Sequence, residues 1–431
     1  MTDGAGTPAA TGTSAGPIAR GSVARVGTAT AVTALCGYAV IYLAARDLAP
    51  SGFSIFGVFW GAFGLVSGAT NGLLQETTRE VRAMHHLHEL PEGSGTSRTR
   101  PLTHPLRIAA MVGVAAAVLI AGSAPLWSGR VFVEARWLSV ALLSIGLAGF
   151  CLHATLLGML AGTNRWGQYG ALMVTDAVIR VTVAAATFVI GWDLVGFLWA
   201  TVAGSVAWLI ILISSPIART TAKLPTPGST ATFLRGAAHS ITAAGASAIL
   251  VMGFPVLLKL TSAELGAEGG VVILAVTLTR APLLVPLTAM QGNLIAHFVD
   301  ERSHRLRALV SPALLVAGIG GLGVLLAGVV GPWLLRVGFG AGYQPSSALL
   351  AWLTAAAVAM ALLTLTGAAT VAAALHRAYS LGWVGATVAS GLLLALPLPL
   401  ETRTVIALLC GPLVGIAVHL LALGRGGRAG N

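Results

Sequence analysis

GLLQETTREVRAMHHLHEL, residues 72–90, marks the point where a long apolar segment turns polar. Residues 53–71 carry no charged side chain, and the next eleven bring Glu76, Arg79, Glu80 and Arg82. Such a junction suits a catalytic cluster, a nucleic-acid patch or the wet end of a membrane helix. Composition decides among them. Hydrophobic residues make up 56% of the 431-residue chain and charged residues 9%, where a soluble domain carries roughly a quarter charged. Apolar segments of about 20 residues, enough to cross a bilayer, recur along the whole sequence.

The net charge of +11 does not signal nucleic acid. The basic residues sit in short loops between apolar segments, form no patch or stripe, and include only two lysines. Cys36, Cys151 and Cys410 fall inside apolar segments without CxxC or metal-ligand spacing and read as small buried hydrophobes. His85, His86 and His88 lack HxxxH spacing, so no metal site and no cofactor is expected. The chain holds no paired surface acids, no nucleophile beside a histidine and no aspartate-rich loop, which argues against an enzyme.

Twelve helices are expected, near 23–45, 53–75, 105–126, 137–160, 168–190, 194–214, 233–257, 269–298, 309–330, 347–374, 379–398 and 403–422. With the N-terminus cytoplasmic, this count places seventeen basic residues on the cytoplasmic side and six on the other, with Arg180 and Arg280 inside helices. That asymmetry fits the positive-inside rule and puts both termini in the cytoplasm. Abundant Ala, Gly and Arg with almost no Lys points to a bacterial genome of high GC content, hence to the bacterial cytoplasmic (inner) membrane.

The two halves resemble one another at an offset of 216 residues. Residues 46–76 lie against 261–292 with Gln75 on Gln291, and APLW (124–127) answers GPWL (331–334). Six spans separate the repeats, so both begin on the same side. The expected fold is an all-α polytopic membrane protein of about twelve transmembrane helices in two six-helix lobes with a central cleft. Its expected parts are a disordered tail (1–19), a first lobe (20–214), a cytoplasmic linker (215–232), a second lobe (233–422) and a C-terminal tail (423–431). By composition, the loop at 88–104 and the linker are flexible connections over the cytoplasmic face.

Helix 1, the loop and helix start LAPSGFSIFGVF (48–59) and the arginine-bearing exit GLLQETTREVRA (72–83) resemble the polysaccharide flippases. These are oligosaccharide-lipid exporters of the multidrug/oligosaccharidyl-lipid/polysaccharide superfamily. The likeness extends from about residue 20 to 422, with Arg79 or Arg82 in the place of the family's exit arginine. It implies transport of polyprenyl-phosphate-linked saccharides from the cytoplasmic to the outer leaflet by alternating access. The implied partners are that glycan lipid, membrane lipid, and a glycan polymerase or glycosyltransferases, with no oligomer required.

Charges inside a membrane are costly and usually face a cavity or a partner. Arg280, with Pro282 and Pro286 behind it to kink helix 8, reads as a cavity-facing phosphate contact, the alternative being an interhelical ion pair or a snorkelling side chain. Asp176 and Arg180 are four apart and share a helix face. They read as an ion pair, with Arg180 at the cavity and Asp176 as the proton- or ion-coupling candidate. Asn71, Gln75, Gln291 and Asn293 give a polar cavity lining on equivalent helices of the two lobes. Glu76, Arg79, Glu80 and Arg82 form a candidate cytoplasmic gate. Two rival readings are an ion-coupled efflux antiporter for drugs or metabolites, which Asp176 would serve, and a non-transporting membrane scaffold for glycan assembly. A major-facilitator carrier fits less well, because its basic loop between helices 2 and 3 is short and residues 76–104 span 29 positions.

Overall fold

The computed structural model describes residues 20–88, 102–300 and 305–428. The expected tail at 1–19 and most of the loop at 88–104 lie outside the described residues. Twelve traverses account for nearly all the rest. In the first half these are α1 (Arg20–Asp47), α2–α3 (Pro50–Ala69 and Asn71–His88), α4 (Pro105–Val131), α5 (Arg136–Gly162) and α6 (Trp166–Ile190). The sixth is α7 (Asp193–Ala203) continued by α8 (Ala207–Ser214). The second half holds α10–α11 (Thr230–Val251 and Phe254–Leu260), α12–α13 (Gly266–Ala289 and Gln291–Asp300), α14 (Arg305–Phe339), α15 (Ser347–Ala372), α16 (His376–Leu394) and α17 (Leu400–Arg428). Short α9 (Pro216–Ala222) lies between the halves.

Among the described residues ten segments are long and apolar enough to cross a bilayer singly, and α10–α11, bent by 69°, makes an eleventh. Helix α16, diluted by the polar start HRAYS, returns the chain between α15 and α17 as the twelfth. The protein is therefore a polytopic, almost entirely helical membrane protein of two lobes. Helices that are apolar all round satisfy their backbone internally and present side chains to lipid on one side and to neighbouring helices on the other. Helices α5 and α15 are the most buried spans, each at the centre of its lobe, whereas α14 turns Leu314, Leu315, Leu322, Leu325 and Val329 outward.

The internal repeat is visible in backbone detail. Helices α5 and α15 both end in a three-residue turn with a left-handed middle residue, Asn164 (φ 58°) and Ala374 (φ 60°). The amide after each reaches back five residues, Arg165 N to Leu160 O (2.8 Å) and Leu375 N to Thr370 O (2.9 Å). Spans two and eight are both interrupted, after Ala69 and after Ala289. Their starts, Pro50 and Gly266, are 216 residues apart, but the interruptions place Asn71, not Gln75, opposite Gln291. The same turns and interruptions thus recur in both halves, and measured from the interruptions the expected pairing shifts by one helical turn.

Two expectations of loose connections give way to structure. The linker forms α9 and then β2 (Thr226–Pro227), which pairs antiparallel with β1 (Leu102–Thr103) at the end of the first long loop. Thr103 Oγ1 donates to Gly228 O at 2.8 Å. Thr226 Oγ1 donates to Thr103 O at 3.3 Å. The linker is thus pinned to the first lobe up to Gly228, whose φ of +109° suits a residue without a side chain. Likewise α3 runs helical to His88, so the three histidines fall on a helix; their side chains lie outside the described part.

The lobes meet along a seam of glycines. Gly57, Gly61, Gly64, Gly68 and Gly72 follow one face of α2–α3, against Ile273, Pro255, Met252, Ala248 and the Ser240–Ile241 backbone of the other lobe. Small residues let helices approach closely in lipid, where packing and not hydrophobicity drives association. At Gly72 the approach is backbone to backbone, with no space for a Cβ. Gly72→Ala is therefore expected to cost at least the roughly 1–3 kcal/mol of an overpacked core. Gly318→Ala, in a helix with nothing within 4 Å of the added carbon, should be neutral or stabilising. Thermal unfolding in detergent checks this; equal midpoints for the two variants would contradict the seam.

Candidate functional site

Midway along the bundle the lobes part around a cavity of about 410 Å³. Helix α1 contributes Thr33, Gly37 and Tyr38, and α2 contributes Trp60, Phe63, Gly64 and Ser67. Asp176 and Arg180 come from α6, Thr201 from α7, and the second lobe supplies Met252, Thr277 and Val285. On the α2–α3 span the stripe Trp60–Gly64–Ser67 continues at helical spacing to Asn71 and Gln75, both exposed. These two lie beyond the cavity's own lining, toward the end of the bundle that carries the termini. Gln291 and Asn293 lie in the first turn of α13, with their side chains outside the described part.

The Asp176–Arg180 pair forms as expected and is held tightly. Arg180 Nε donates to both Asp176 oxygens at 3.1 and 3.0 Å, and Nη2 donates to Oδ1 at 3.0 Å. Arg180 Nη1 also donates to Thr201 O. The guanidinium lies 5.2 Å from the Phe63 ring centre and 5.9 Å from that of Phe150. Sixth-span geometry makes room for the pair: at the 3₁₀ turn Gly204–Val206, a Cβ on Gly204 would overlap Asp176 Oδ1. His153 of α5, buried and stacked on Phe150 at 4.8 Å, is within electrostatic reach of both charges. Its Nδ1 has no partner among the described residues.

Arg280 sits differently. It is 8% exposed and lies behind the cavity wall, within electrostatic reach of Tyr38. Its Nη1 donates to Val251 O at 3.2 Å and to Leu250 O at 3.4 Å, and the guanidinium is 5.4 Å from the Phe254 ring centre. Among the described residues it has no carboxylate partner and its Nη2 is unpaired. Helix α12 continues through Pro282 and Pro286 and ends only at Ala289.

At the termini end, Glu76 is not in water. Its side chain is 1% exposed and abuts Gly236 of the other lobe, while Arg79 bridges it (2.6 Å) to Glu80 (3.0 Å). Arg82 is exposed on α3. At the opposite end the lobes are joined. Tyr343 OH donates to Leu48 O at 3.3 Å, its ring meets Phe53 edge-on, and Tyr42 meets Phe339. Pro50 lies in the notches left by Gly270 and Gly342. Burial pushes the Tyr343 phenol up from its ordinary range, so it stays a proton donor at any physiological pH. Among the described residues no three metal-ligating side chains gather.

No protein-family model matches the chain. It is 80% identical over 414 residues to the uncharacterized protein Rv3630 of Mycobacterium tuberculosis, covering 96% of this chain and 94% of that one. The uncharacterized protein Mb3654 of Mycobacterium bovis gives the same figures. The uncharacterized protein Rv1510 of Mycobacterium tuberculosis is 71% identical over 425 residues, with 99% and 96% covered. The chain belongs to this mycobacterial family. Among solved structures, an inward-facing multidrug resistance MATE family transporter of the MOP superfamily matches with a TM-score of 0.70 at 13% identity, over 92% of this chain and 96% of that one. The outward-facing conformation of such a transporter gives 0.59 at 15% identity, with 94% and 96% covered. A MOP superfamily transporter from Pyrococcus furiosus, described by a binding pocket of reversed polarity, gives 0.60 at 14%, with 94% and 96% covered. At these identities the likeness is one of fold.

The cavity thus unites Asp176 and Arg180 of the expected site, leaves Asn71 and Gln75 outside its lining and Arg280 behind the wall, and adds Tyr38, Trp60, Met252 and Thr277, with His153 buried near the ion pair. A signal for Trp60 was present: tryptophan favours membrane interfaces, and this one falls near the middle of a span. Removing one member of the Asp176–Arg180 pair strands a buried charge, at about 3–5 kcal/mol. Asp176→Leu and Arg180→Met should each lower the thermal midpoint more than the double variant does. Strictly additive losses would show that the two charges do not depend on each other.

Proposed function

We propose that this protein is an alternating-access transporter that moves a polyprenyl-linked saccharide from the cytoplasmic to the outer leaflet of the cytoplasmic membrane. The observation that carries the transport reading is the mid-membrane cavity, walled by both lobes and shut at the end opposite the termini by Tyr343, Leu48, Phe53 and Pro50. With the termini cytoplasmic, as the seventeen-to-six distribution of basic residues favours, this is an inward-facing state. In this reading substrate enters past the exposed Asn71 and Gln75, and the Glu76–Arg79–Glu80 network, which stays closed against Gly236 of the other lobe, is the part of the cytoplasmic gate nearest the interlobe seam.

The substrate class rests on what lies across α12. On its other side, Leu278, Pro282 and Leu283 form one wall of an apolar groove of about 520 Å³, completed by α14 and α15. Its polar lining groups are threonines whose hydroxyls are spent on their own helices, Thr279 on Ala275 O and Thr354 on Leu350 O. A mostly apolar cavity that carries one ion pair, the Tyr38 phenol and a few hydroxyls, beside a wholly hydrocarbon groove, suits a substrate with a small polar head and a long chain. Enzymes that build or polymerise the glycan would then be its working partners.

A second reading, ion-coupled efflux of an amphipathic small molecule, is favoured by Tyr38, Trp60 and Met252 beside the titratable Asp176. Depleting the protein and measuring the leaflet distribution of polyprenyl-linked saccharides separates the two. Intermediates should accumulate on the cytoplasmic side, and wild type should restore them. Ser67→Trp, which fills the cavity without touching the ion pair, should not. An unchanged distribution on depletion would remove the lipid-linked substrate and turn attention to efflux and Asp176→Asn.

A further inference from the structure

The seventh span breaks at Met252–Gly253, and the sequence supplies the cause. In a continuous helix Val251 O would accept from the amide four residues on, but that residue is Pro255, which has no N–H. Met252 N and Gly253 N both turn back to Ala248 O, and α11 restarts with Val256 N and Leu257 N on Gly253 O. Leu250 O and Val251 O are left at the C-terminus of a half-helix inside the membrane. That end carries partial negative charge, and unpaired carbonyls in hydrocarbon are costly. Arg280 of α12 supplies both with a donor, and its charge lies at the negative end of α10.

We propose that Arg280 is a positioning residue, a tethered cation that holds the 69° bend of the seventh span and through it shapes the cavity. Ion-coupled carriers commonly place a bound cation at the carbonyl end of a broken helix; here a side chain occupies that place. Two functional surfaces hang on the bend. It turns Met252 into the cavity wall, and it places Met252 O and Pro255 against Gly61 on the interlobe seam. Arg280 thereby acts on the cavity from behind and links its wall to the surface on which the lobes bear. The proposal goes beyond the transport reading and stands whatever the substrate is.

Spin labels at Thr242 and Leu260, both exposed, test it in full-length protein freed of its three cysteines. At 1.5 Å per residue a straight helix would separate these backbone positions by about 27 Å, and the bend shortens this to about 22 Å. Wild type and Arg280→Lys should give the short distance. Arg280→Ala should give a longer or broadened one, and Arg280→Ala with Pro255→Ala, which returns a donor to Val251 O, a narrow long one. In parallel, Met252→Cys should react with a water-soluble maleimide about ten-fold more slowly in the Arg280→Ala background and recover with lysine, while Ser67→Cys keeps its rate. The short distance persisting in Arg280→Ala would overturn the proposal. If that variant does not accumulate, the double variant decides: with every carbonyl supplied, a persistent bend would show that packing on Gly61 sets it.

Discussion

How closely two backbones can approach in lipid governs this molecule. Between α2–α3 and the α10–α12 region of the other lobe, the contact at Gly72 leaves no space for a side chain, and four more glycines extend it toward Pro50. Close approach of smooth surfaces gives a long, continuous contact without charged or interlocking side chains through most of its length. A seam of that kind joins two lobes as a bearing does. Because it fixes the back of the interface, separation at the front appears as a cavity between α1, α6, α7 and α12. The aromatic and proline contacts around Tyr343 then decide which end of that cavity is shut.

Buried charge follows the same economy of partners. Asp176 and Arg180 neutralise one another, take a backbone carbonyl and two aromatic faces, and require the notch at Gly204. Arg280 answers a different need, the carbonyls freed by Pro255. Glu76 is buried because Gly236 lets the other lobe close over it. Each intramembrane charge in this group is explained by a neighbour that is itself a small residue or a break.

Much of this was readable in the sequence. Twelve apolar segments, the break at Gly191–Trp192, the i,i+4 pairing of Asp176 with Arg180 and the two-lobe plan follow from length and periodicity. What was missed depends on long-range contact. Residues 72–90 look like a solvated exit because nothing local reveals that α10 covers Glu76. The linker looks loose because two residues of ladder with Thr103 leave no periodic trace. Its charge and the prolines after it point Arg280 toward substrate, whereas the proline that decides its contacts is Pro255, on another helix. The pairing of Gln75 with Gln291 failed because α12 runs one turn longer than α2 before its interruption.

The central claim is that a cavity between the lobes opens toward the side bearing the termini and is closed from the other. Side-specific labelling of Ser67→Cys tests it most directly, using a membrane-impermeant maleimide on cysteine-free protein in vesicles of known orientation. The account predicts rapid modification from the termini side and protection from the opposite side. Equal reaction from both sides, or reaction only from the Tyr343 side, would contradict it.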